Sequence, residues 1–146
     1  MTSITKKTIF LSILGIMVIA IAAGLFYYFK PPPSAQFATG KKVTATDLYQ
    51  SFITDSTKAK AAFADKVLEV SGNVTGVSQN QQKQVVIMLK TGTPGAAVNC
   101  TLEGPGENIK QNDNIIIKGF CWGLGAGDAD LGILGDVYLG RCYIVK

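Results

Sequence analysis

The chain has 146 residues, 47% of them hydrophobic, a net charge of +4 and no histidine. That is enough for one ordinary domain plus an apolar segment, and it removes the commonest general base and metal ligand. A basic nucleic-acid face is also disfavoured: residues 1–30 hold three Lys and no acid, leaving 11 basic against 10 acidic residues over 31–146.

In chain order, residues 1–8 read as a short basic tail, placed in the cytoplasm. From Ile9 to Phe29, IFLSILGIMVIAIAAGLFYYF runs 21 residues without a charge, long enough as a helix to span a hydrocarbon core of roughly 30 Å. Lys6 and Lys7 precede this run, Lys30 follows it, and Phe26 to Phe29 form an aromatic belt at one interface. Ala20-Ile21-Ala22 has the small-x-small form of an export-signal cleavage site. The apolar run exceeds a typical signal core and continues through LFYYF, which favours an uncleaved anchor. The basic amino-terminal tail then puts the remainder outside the cytoplasm, in the periplasm, although lysines flank both ends.

Residues 30–43 read as a proline-rich linker: Pro31 to Pro33 favour extended polyproline II, and Ala35 to Val43 read as flexible chain. Thr44-Ala45-Thr46-Asp47 has the form of a capping box, followed by a stripe of Leu48 and Phe52. A second short helix over Ser56 to Ala64 carries Ala59, Ala62 and Phe63 at helical spacing. Both helices are expected to pack on a core.

From Val67 the period changes to that of strands. Five are predicted: Val67 to Val77, Gln84 to Thr91, Ala96 to Glu103, Asn114 to Trp122, and Asp136 to Val145. The joins are short and polar, except for the glycine-rich loop GLGAGDADLGILG before the last strand. A mid-strand glycine, Gly72, predicts a bend that lets one strand serve both halves of a small closed barrel. Gly119 and Gly140 are expected to relieve similar strain.

The strings DSTKAKAAFADKVLEVSGNV, VNCTLEG, IIIKGFC and DVYLGRCYIV resemble the tRNA_anti-like family of OB-fold proteins, small bacterial domains commonly found behind a membrane or lipoprotein signal. The resemblance covers residues 44–146. It implies a mainly β fold, a five-stranded OB-fold-like barrel behind a short helical segment and the transmembrane helix. The family name records kinship with anticodon-binding domains and does not by itself imply tRNA binding. The long loop 124–135 and the lack of a lipid-attachment cysteine depart from the pattern.

Strand alternation turns Cys100 and Cys121 inward. Cys142 has the opposite parity to Val137 and Leu139, and a bulge at Gly140-Arg141 would bring Cys142 and Ile144 inside with Arg141 out. Buried thiols act as small hydrophobes. Three Cys and no His fall short of a usual zinc set. In an OB barrel the last two strands pair antiparallel; a hairpin centred near residue 131 would oppose Cys121 and Cys142, making them a disulfide candidate in an oxidising compartment.

Asp128 and Asp130 in GAGDADLG have oxygen ligands at calcium-repeat spacing, but a single copy reads better as a hairpin loop. No nucleophile, phosphate loop or general base is in view, so neither catalysis nor a cofactor is expected. The second and third barrel strands, where OB folds stack bases, carry no aromatic residue and one Lys. The expected activity is therefore binding of an envelope protein, peptide or glycan, through Trp122 and the 124–135 loop with Asp128 and Asp130. Single-stranded nucleic acid of the tRNA type is the alternative ligand.

Overall fold

The computed structural model describes residues 6–30, 34–106 and 108–145, and the chain divides into two compact units, Met1–Pro32 and Pro33–Lys146. The first is a single helix, α1 (Lys6–Tyr28). From Ile9 onward its side chains are exposed all round. By length and composition it can cross a membrane or serve as a signal sequence. The first five residues of the expected tail and the Pro31 to Pro33 spacer lie outside the described residues.

The second unit is mainly β. It comprises β1 (Lys41–Thr44), α2 (Ala45–Thr54), α3 (Ser56–Phe63), β2 (Val67–Gln79), β3 (Val85–Lys90), β4 (Ala97–Leu102), β5 (Asn114–Leu124) and β6 (Val137–Val145). The sheet runs β2-β3-β4-β6-β5 and closes through β2–β5, a five-stranded barrel of OB topology. Within the barrel, β4–β6 is the parallel pair and the other four pairings are antiparallel.

Closure depends on β2 changing partners. Residues Val67 to Asn73 pair with β5, and Val74 to Gln79 pair with β3. The register slips between Val74 and Gly76, just after the expected bend at Gly72. A Cβ on Gly72 would lie 3.1 Å from the Ala45 Cβ and 3.2 Å from the Leu89 Cβ, so glycine lets α2 and β3 approach the strand together here.

The helices close the barrel from before its first strand. Thr44 caps α2, its Oγ1 accepting from the Asp47 N–H at 3.0 Å, and Asp55 caps α3 by accepting from the Lys58 N–H at 3.0 Å. Leu48, Tyr49 and Phe52 of α2 are buried with Phe63 of α3, and the Phe52 and Phe63 rings lie 6.3 Å apart. They join Leu68, Val70, Val74, Ile87, Leu89, Val98, Ile117, Val137 and Leu139 in one core. At about 25 cal/mol per Å² of buried apolar surface, this shared core is the main favourable contribution to the unit.

One segment differs from the linker reading. Lys41–Thr44 run parallel to Leu68–Ser71 of β2, and Ala35 is fully buried. Lys41 stacks its ammonium 4.6 Å from the Phe63 ring centroid, and Lys42 reaches Glu69 at 3.9 Å. A four-residue edge strand is too short for alternation to announce it, and two lysines at its start read as solvent-exposed chain.

Candidate functional site

The outward faces of β5 and β6 carry the aromatic side chains that the barrel does not bury. Trp122 is 60% exposed and Tyr138 42% exposed. Alternation on β5 turns Cys121 and Gly123 in and Trp122 out. The Trp122 indole lies across Gly140 of β6, where a Cβ would collide with its ring atoms. Tyr138 pairs with Gly123 and packs against Gly125. Phe120 is half-buried beneath Arg141, whose guanidinium lies 5.9 Å from the ring centroid and 3.6 Å from Glu103. Tyr143 donates its hydroxyl to Glu103 at 2.7 Å.

Beside this face the hairpin is ordered by its own backbone. The Gly125 N–H donates to the Asp136 carbonyl at 2.8 Å, and Asp128 and Ile133 exchange a pair of bonds at 2.8 Å. The Asp128 carboxylate accepts from the Asp130 and Leu131 N–H groups at 3.0 and 3.1 Å, an Asx turn. Asp128 thus serves the turn, while Asp130 stands exposed. Among the described residues no three His, Cys, Asp or Glu side chains converge as a metal site. At the hairpin base, Asp136 accepts from the Ala97 N–H at 2.8 Å and from Asn99 at 2.7 Å, tying the loop to β4.

The hairpin also presents Leu131, Ile133 and Leu134, exposed by 72, 57 and 44%. The sequence pointed to the loop through its acids; these aliphatics and Tyr138 complete the surface. Their signal was LGILG, an apolar run in a glycine-rich loop.

The outer face of β3 and β4 is different. A shallow cavity of about 540 Å³ there is lined by Thr75, Met88, Lys90, the 92–97 turn and Asp136. It has one cation, one carboxylate and no aromatic ring, so it lacks both the charge and the stacking platforms of a single-strand groove.

The thiols occupy the interior. Cys100, Cys121 and Cys142 are fully buried and free. The bulge at Gly140-Arg141 is present: Arg141 adopts φ +54°, and β6 slips register against both β4 and β5 at this point. Cys142 is thereby turned in and Arg141 out, as parity required. The opposition of Cys121 and Cys142 does not occur. Cys121 faces Leu139, because the hairpin is centred near residue 130 rather than 131 and β5 carries an extra residue, Trp122, between Gly123 and Cys121. Burial pushes the Cys121 thiol up to about 11, against the Gly123 N–H, which lowers it; nearby Asp65 adds to the rise. Cys100 is held well above the ordinary thiol range, first by its hydrogen bond with Cys142 and then by burial.

The chain is similar to known proteins. The tRNA_anti-like family model matches residues 1–130. No curated protein matches the chain. Among solved structures, a protein of Leishmania major Friedlin described as an aspartyl-tRNA synthetase aligns over 87% of this chain at 11% identity, with a TM-score of 0.45. The chain spans only 26% of that protein's length. With the family model covering most of its residues, including the apolar helix, the chain belongs to the tRNA_anti-like family.

Proposed function

We propose that this chain is a membrane-anchored, extracytoplasmic OB-fold module that binds an envelope protein, peptide or glycan and performs no chemistry of its own. The observation that carries this reading is the exposed surface of Trp122, Tyr138, Leu131, Ile133 and Leu134 on the β5–β6 side. Large apolar side chains grouped on one side of a small domain are a common mark of a binding site, and tryptophan and tyrosine are the residues most enriched at binding hot spots. The hairpin that supports them is held by paired backbone bonds, so the surface is preorganised. The near-balance of charge over 31–146 suits such a partner better than a polyanion.

The test is photo-crosslinking of the full chain in its native membrane, with a photoreactive residue at position 122 or, as a control, at position 83 in the β2–β3 turn. Adducts specific to position 122 are expected. Equal labelling at both positions, or none at 122, removes the reading. The nucleic-acid alternative is tested on the full chain in detergent by anisotropy of labelled single-stranded DNA and RNA. Tight binding that weakens steeply with salt would replace the present proposal.

A further inference from the structure

From Gly119 to Gly140 the chain carries three aspartates, Asp128, Asp130 and Asp136, and no lysine or arginine. The fold adds a fourth. The N–H of Asp65 donates to the Cys121 carbonyl at 2.8 Å, which sets this exposed residue beside the strand that carries Trp122.

The cations that flank this stretch are committed elsewhere. The Lys66 ammonium donates to the Ala61 and Ala62 carbonyls at 2.8 and 3.1 Å, at the carboxyl end of α3. Lys118 stands opposite Glu69 of β2. The Arg141 guanidinium lies over the Phe120 ring and pairs with Glu103 at 3.6 Å. Among the described residues the ion pairs are Lys42–Glu69, Lys58–Asp55 and Arg141–Glu103, so no cation neutralises the four carboxylates. The exposed group of Trp122, Tyr138, Leu131, Ile133 and Leu134 therefore has an acidic border.

That combination selects among ligands. Uncompensated carboxylates repel phosphate and attract lysine and arginine, and charge at the rim of an apolar contact steers encounter and rejects partners of the wrong sign. A glycan is the poorer fit, because polar groups here are already used. Asp128 accepts from two turn N–H groups, Asp136 accepts from Ala97 and Asn99, and three exposed aliphatics offer sugar hydroxyls no partner.

From this surface we infer that the ligand is a basic, apolar segment of an envelope protein: its apolar side chains cover Trp122, Tyr138 and the hairpin aliphatics, and its cations meet Asp65, Asp128 and Asp130. The inference rests on the binding surface proposed above and narrows its ligand to a protein segment of one sign of charge. Exposed charges of this kind are screened over about 8 Å in physiological salt, so their effect is severalfold rather than all-or-none.

The test uses the full chain in its native membrane with the photoreactive residue at position 122, and compares natural aspartates with the combined variant Asp65→Asn, Asp128→Asn and Asp130→Asn. The replacements are mild: Asn at 128 keeps an oxygen for the turn, Asn tolerates the left-handed φ of +58° at position 65, and Asp130 is exposed. Adduct yield should fall severalfold in the variant. Added salt should lower the yield of the natural chain and have little effect on the variant. The adducted peptide, sequenced by mass spectrometry, should combine lysine or arginine with large apolar residues. An acidic peptide or a glycan at position 122, or a natural-chain yield that salt does not lower, would overturn the inference and leave the binding surface standing. The natural chain alone decides these outcomes, even if the variant does not fold. Absence of adducts at position 122 in the natural chain would remove the surface itself, and the inference with it.

Discussion

At the scale of single residues, two glycines on neighbouring strands make different predictions. A Cβ on Gly119 would meet the Cys142 sulfur, with the Gly140 carbonyl at 3.1 Å and the Cys142 Cα at 3.3 Å. Backbone cannot step aside, so Gly119→Ala should destabilise the domain by about 1–3 kcal/mol in chemical denaturation. A Cβ on Gly140 meets the Trp122 indole, which is on the surface and free to swing away. Gly140→Ala should cost less stability than Gly119→Ala but shift the emission of this chain's single tryptophan. An unchanged spectrum would show that the indole does not rest on Gly140.

The raised thiol of Cys121 gives a second residue-scale prediction. Its folded value of about 11 lies above the ordinary 9.0, so between these values the unfolded chain loses its proton first. The contribution is complete below pH 9 and disappears as pH rises through 11. Denaturation midpoints of the reduced protein should fall over that window, and Cys121→Ala should flatten part of the fall. A profile identical to that of the natural chain would show that Cys121 does not contribute.

At the scale of elements, the 125–136 hairpin and the barrel have separate supports. The hairpin is held by its own turn bonds and by Asp136, whereas the buried core draws on the strands and on α2 and α3. Replacing residues 128–133 with Asn-Gly, a two-residue hairpin turn, should therefore leave the thermal midpoint within a few degrees while removing Leu131 and Ile133. On the proposed function, crosslinking from position 122 should then fall severalfold. Unchanged crosslinking would place the contact elsewhere. The capped helices and five barrel strands were legible because each has a period and a stop signal. β1 was not, since its partner lies 27 residues away and nothing local distinguishes four extended residues from linker.

For the whole molecule, the charge is concentrated at the amino-terminal flank and over 41–60, and it nearly cancels beyond residue 62. The proposed topology places the compact unit from residue 33 outside the cytoplasm. A protease-cleavable tag added after the last residue should be cut by impermeant protease in intact spheroplasts. Cutting only after lysis would reverse the topology.

Local pattern along the chain was enough to establish an apolar run of membrane-spanning length, capped helices, five alternating strands, and the inward parity of Cys100 and Cys121. It also required a bulge near Gly140, because β-strand alternation leaves no other way to bring Cys142 inside. Strand register, in contrast, emerged only from the folded barrel. Cys142 stands three residues along β6 from Leu139, which Cys121 and Cys100 face from either side, so local alternation could not say what lies opposite it. The register there follows from two bulges, one residue inserted on β5 at Trp122 and one on β6 at Gly140-Arg141. Likewise, alternation with Cys121 put Trp122 on the outer face, but only the fold showed that its ring occupies the space a side chain at Gly140, on the neighbouring strand, would need.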